Sequence, residues 1–211
     1  MSAAPNPKIF HINEFVEKAV RTTSVNLMSR KRLGIPARLG IEKELINLQN
    51  STMILNFDGI EEVSLSVAEE LGPILFKNFL AYHKATPTLY LTYANMNEDL
   101  VYGWDGMFKN FPDPMAASIL NLTTNHLYSS VTFIGSGLAE SKKEALEKIY
   151  FLGKATSNDL ADVGIAAASR KLNALFKEFP WLFIRNQVSL DEKAWTYEYH
   201  PIVQKATEVL A

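Results

Sequence analysis

Met53-Ile54-Leu55-Asn56-Phe57 is an apolar run too short for a buried helix, and Asp58-Gly59 closes it with a turn. It reads as a buried strand. After Ile60, Val63 and Ser64-Leu65-Ser66, the spacing turns helical: Val67, Leu71, Ile74 or Leu75, then Phe79. Ser66 is placed to cap that helix through its hydroxyl, with Glu69 three residues on completing a capping box. Gly72-Pro73 breaks the pattern, because proline removes a backbone donor and disfavours helix just before it. A helix restart is expected at Pro73. Thr88 to Tyr93, TLYLTY, is the next strand. Asn97 caps the helix after it, in which Leu100, Val101, Trp104, Met107, Phe108 and Phe111 recur at helical spacing. Two strands that each feed a helix imply parallel pairing through crossovers. In such sheets binding sites gather at the carboxyl ends of the strands. Ser64, Ser66, Asn95 and Asn97 all belong to that edge.

The flanking segments complete an α/β unit. Lys8 to Ile12 is expected to be a first strand, and Asn13 to cap a short helix carrying Phe15, Val16, Ala19 and Val20. Val25 to Met28 reads as a weak strand. Arg30-Lys31-Arg32, with Arg38 nearby, reads as a solvated turn or, functionally, as a loop facing a partner or a phosphate. Ile41 to Leu48 reads as a helix and Tyr128 to Ile134 as a strand. Met115 to Leu122, after Pro112-Asp113-Pro114, reads as a further helix.

The residues Phe57-Asp58-Gly59-Ile60 followed by Val63-Ser64-Leu65-Ser66-Val67 resemble the STAS domain of anti-sigma-factor antagonists, and more closely STAS-like bacterial proteins of unknown function. The resemblance implies a mixed sheet with helices over residues 1–134. It also implies a protein partner, a histidine-kinase-like ATPase, that phosphorylates the serine at the position of Ser66. Ser64 stands where the family has aspartate.

Gly135-Ser136-Gly137 reads as a linker, 135–138, and beyond it the pattern changes. Ser141-Lys142-Lys143-Glu144 is read as a capping box opening a helix that buries Ala145, Leu146, Ile149 and Leu152 and stops at Gly153. Thr156-Ser157-Asn158-Asp159 opens a short helix, Gly164 makes a turn and Ile165 is an apolar plug. A third helix, 166–179, turns Ala168, Leu172, Leu175, Phe176 and Phe179 inward. Ser169, Arg170, Asn173 and Lys177 face outward. Helix, short helix, glycine turn and polar-faced helix make a helix-turn-helix pattern. Trp181 to Arg185 reads as one strand, and Trp195, Tyr197 and Tyr199 alternate along another. The stretch TSNDLADVGIAAASRKLNALFKEFPWLFIR thus resembles the winged-helix domains of bacterial transcription regulators, with a turn one residue shorter than usual. This assigns an α+β winged-helix domain to 139–211. DNA contacts are expected from Ser157, Ser169, Arg170, Asn173, Lys177 and Arg185. Pro201 is read as the first turn of a last helix, with Ile202, Ala206, Val209 and Leu210 supporting a homodimer.

Charge bears on the DNA reading. The chain carries a net −2, and residues 139–211 hold ten Lys and Arg against ten Asp and Glu. Within 166–187, however, Arg170, Lys171, Lys177 and Arg185 face Glu178 alone. DNA binding rests largely on phosphate neutralisation, and the helix expected to make the contacts is the basic part of a neutral module. The chain has no cysteine, and His11, His83, His126 and His200 show no metal-ligand spacing. With no phosphate-binding loop and no nucleophile motif, neither an enzyme nor a cofactor is expected. No apolar run approaches the ~20 residues that span a bilayer, and a cytoplasmic protein is the expectation. The reading is a DNA-binding regulator coupled to a STAS-like sensing domain. The alternative is a protein–protein module of an anti-sigma-type partner switch.

Overall fold

The computed structural model describes residues 5–21, 25–190 and 194–206. The chain runs through β1 (Asn6–His11), α1 (Ile12–Val20), β2 (Asn26–Leu27), α2 (Ile35–Ile46), β3 (Ser51–Asn56), β4 (Glu62–Val63), α3 (Leu65–Glu69), α4 (Leu75–Ala85), β5 (Leu89–Ala94) and α5 (Glu98–Asn110). It continues through β6 (Ala116–Leu122), β7 (Tyr128–Gly135), α6 (Glu140–Leu152), α7 (Ser157–Asp162), α8 (Ala168–Glu178), β8 (Ile184–Ser189) and β9 (Trp195–His200). Wide π-type turns at Arg30–Gly34 and Glu70–Ile74 lead into α2 and α4. Among the described residues no helix is long and apolar enough to cross a membrane.

Five strands form a mixed sheet in the order β1-β3-β5-β6-β7. The first four are parallel, and β7 returns antiparallel to β6. The inner strands are buried on both faces, as expected of a sheet covered on both sides. Met53, Leu55, Leu91, Tyr93 and Ile119 point into one core, which α1 to α5 cover. Ile54, Tyr90, Ala94, Ala116 and Leu120 point into a second core, closed by α6, α7, α8, β8 and β9. The segments before and after residue 138 therefore meet along a whole face of the sheet. Thr52 Oγ1 donates to Ile202 O at 2.7 Å across this boundary, and Trp181 Nε1 donates to Ala116 O at 2.8 Å.

Several expectations are corrected. Met115 to Leu122 is strand rather than helix, because β6 is sandwiched between β5 and β7 with burial on both faces. Gly135 ends β7 instead of opening a linker: at φ +103° it passes so close to Met115 that a Cβ would collide with the carbonyl oxygen. Ser64, not Ser66, is the residue before α3, and its carbonyl rather than its hydroxyl takes the N–H groups of Val67 and Ala68. Asn13 lies inside α1, which begins at Ile12, and Ser141 lies inside α6, which begins at Glu140. Pro201 does not open a helix. Residues 201–206 are irregular, with Ile202 and Val203 buried in the second core rather than on an apolar helix stripe. Val209 and Leu210 lie outside the described residues. The break at Gly72 is present, at φ −95° and ψ −108°.

Candidate nucleic-acid interface

The α7–α8 unit is built from local signals. Thr156 Oγ1 accepts from the Asp159 N–H at 3.2 Å, while the Asp159 carboxylate accepts from the Thr156 N–H at 2.8 Å, a complete capping box. These bonds, first from the Thr156 backbone and then from its hydroxyl, hold the Asp159 carboxyl below its usual range. Gly164, at φ +90° with open space around it, makes the turn for conformational reasons alone. Ile165 plugs the core beneath, 2% exposed. In α8, Ala168, Leu172 and Leu175 are buried, while Ser169, Arg170, Asn173 and Lys177 are exposed. Phe179 is buried just past the helix end, whereas Phe176, expected inward, is only half-buried.

Ser157, Ser169, Arg170, Asn173 and Lys177 line one open groove of about 890 Å³ between α7 and α8. Small side chains floor it: Ala161, Ala167, Ala168 and Ala174. The groove's charges are unevenly engaged. Of the charged residues that line it, Glu178 is paired with Lys142 at 2.5 Å. Arg170, Lys171 and Lys177 make no ion pair among the described residues.

Arg185, half-buried, lies against two aromatic rings. Its guanidinium carbon lies 3.4 Å from the centroid of the Phe176 ring and 4.2 Å from that of Tyr197. Cation–π attraction on both faces holds it between the rings. The strands around it form a hairpin, with Ile184 opposite His200 and Ser189 opposite Trp195. The first strand begins at Ile184, not Trp181.

At the carboxyl edge of the sheet, Asn95 sits at φ +54° and joins three strands: Nδ2 donates to Asn56 Oδ1 at 3.0 Å, and Oδ1 accepts from Leu122 N–H at 2.9 Å. Asn56 Nδ2 in turn lies 3.3 Å from His11 Nδ1. Asn97 caps α5 through Leu100 N–H and donates to Glu61 O, which ties it to the loop before Ser64. Ser64 and Ser66 are half-buried, with their hydroxyls 3.3 Å apart.

Lys31 and Arg32 are exposed, as a solvated turn would have them, but Arg30 and Arg38 are drawn into an ion-pair network around the buried Glu70. Arg30 bridges Glu69 at 2.9 Å and Glu70 at 2.6 Å, and Arg38 bridges Glu70 and Glu42, each at 2.6 Å. Burial alone would lower the Arg38 pKa, but Glu70 and Glu42 outweigh it and raise the value. One sequence signal for this network exists: Glu70 falls on the apolar stripe of Val67, Leu71 and Ile74. Among the described residues no group of histidine and carboxylate side chains is arranged to hold a metal ion. Compared with known proteins, the chain matches no family model, no curated protein and no solved structure.

Proposed function

We propose that the chain is a DNA-binding regulator that contacts the duplex through the outer face of α8 and the start of α7. In this reading α6 to β9 is a winged helix, and the serine-bearing α/β layer is a STAS-like unit that senses a protein partner. The observation that carries it is the asymmetry of charge at the groove. Glu178, the carboxylate that lines the groove, is engaged by Lys142, while Arg170 and Lys177 are left for an external anion. Phosphates are the anions that a helix face with spaced cations and short polar side chains suits.

The test is a salt titration of binding to duplex genomic fragments. Removing two phosphate contacts with Arg170→Ala and Lys177→Ala together should weaken binding and lower the slope of log K against log salt by roughly 1.8. Unchanged affinity and slope in a folded double variant would refute the assignment.

A second reading, the partner-switch module, is favoured by the placement of Ser66 at the start of α3 within reach of Ser64. Phosphate there would add about −1.5 to −2 charges without breaking a core contact. Arg30 already engages Glu69 and Glu70, so the helix is less acidic than its sequence suggests. Ser66→Asp should alter recovery of the protein partner in a pull-down while circular dichroism stays unchanged. Equal recovery would leave Ser66 a structural residue.

A further inference from the structure

Beside the α8 groove runs a strip of rings that leaves the core and ends in solvent. It starts at Phe176 on α8, passes through the Arg185 guanidinium to Tyr197, and reaches Trp195, whose ring centroid is 5.1 Å from that of Tyr197. Arg185, Tyr197 and Trp195 share one face of the hairpin, because Tyr199 stands opposite Arg185 and side chains alternate along a strand. Tyr199 anchors the inner end of the strip in the second core at 3% exposure, while Trp195 at the outer end is 55% exposed. Phe176 directly precedes Lys177, so the inner end of the strip stands on the same helix as the cations of α8.

Resting on the DNA-binding reading, we infer that this strip stacks unpaired bases, and that the preferred ligand is DNA in which a duplex adjoins a single-stranded segment. An exposed indole on the ring strip that holds the Arg185 guanidinium matches the two requirements of single-strand binding: a π-face for a base and a positive charge for its phosphate. A continuous duplex presents base edges and sugars to a hairpin, never base faces, so it leaves the indole without a stacking partner. Arg185 serves as the inner support of the strip. Held between two rings, it keeps Tyr197 in place and adds positive charge behind Trp195.

The experiment compares three probes with the full-length protein at one salt concentration: a 20-base-pair duplex, the same duplex with an eight-nucleotide thymidine overhang, and the thymidine strand alone. The overhang probe should bind about tenfold more tightly than the blunt duplex. Trp195→Ala should erase that advantage and leave blunt-duplex binding unchanged. Trp195→Phe should retain most of it. Intrinsic fluorescence gives an independent readout. Trp104 is buried and Trp181 is held by Ala116, so quenching by the overhang should disappear in Trp195→Phe even though binding persists. Equal affinity of wild type for blunt and overhang probes, or an advantage that survives Trp195→Ala, overturns the inference and leaves the duplex reading intact. Failure of all three probes to bind overturns both.

Discussion

Glu70 is the most heavily engaged side chain of the first layer. It is 3% exposed, and both its oxygens are taken, one by Arg30 and one by Arg38. It joins the two π-type turns, whose sequences lie 40 residues apart. A buried carboxylate costs desolvation that only such partners offset, and removing it leaves the half-buried Arg38 with Glu42 as its remaining acid. Glu70→Ala should therefore destabilise the protein by roughly 3 kcal/mol in urea unfolding. A loss of about 1 kcal/mol or less would equal that of an exposed pair and would deny the network a structural role. His83 is a second buried titratable residue. Its Nδ1 lies 2.7 Å from Leu89 O, and its ring packs against Phe79, Tyr90 and Trp181. Burial lowers its pKa below the ordinary 6.5, although the bond to Leu89 works the other way. The unfolded chain thus takes a proton at this site before the folded chain does, and stability falls as the pH drops below about 6.5. His83→Gln should lose less stability than wild type between about pH 7.5 and pH 5.5 in thermal unfolding. An equal loss in both would place the acid sensitivity elsewhere.

Elements were legible in the sequence wherever their signals are local. Thr156 with Asp159 and Asn97 with Leu100 make the cap bonds that their spacing implies, and Gly153 and Gly164 take the left-handed conformations that end α6 and turn into α8. Replacing Thr156 by alanine should cost about 1 kcal/mol of stability and free Asp159. An unchanged unfolding midpoint would show that the box is ornamental to α7. Signals failed where the decision is made at a distance. Ser66 and Ser141 have cap chemistry but sit one or two residues inside their helices. Met115 to Leu122 carries apolar residues without alternation because both faces of β6 are buried, and that pattern does not separate strand from helix. The site shows the same division. The outward stripe of α8 followed from its periodicity. The capture of Arg185 by Phe176 and Tyr197 did not, since it needs the hairpin to fold back on the helix.

At the scale of the molecule, the sheet has two covered faces, and the proposed DNA-contacting helix belongs to the cover of the second. Leu172 and Leu175 on its inner side share a core with Ile54, Tyr90, Ala94 and Leu120 of the sheet itself. Trp181 touches both cores, its ring edge-on to Phe76 and His83 on one side and to Phe179 on the other. Neither layer can open without exposing the apolar face of strands that the other layer also uses. Burial of this kind, lost all at once, makes unfolding cooperative. The full chain should unfold in one transition, with tryptophan fluorescence and far-ultraviolet circular dichroism giving the same midpoint. A fragment ending at Leu138 should associate or aggregate, because it leaves Ile54, Tyr90, Ala116, Leu120 and Phe133 uncovered as one patch. A soluble, monomeric fragment with native-like dichroism, or two separate transitions in the full chain, would show instead that the layers fold independently. The proposed DNA-contacting face would then be free to move against the serine-bearing layer.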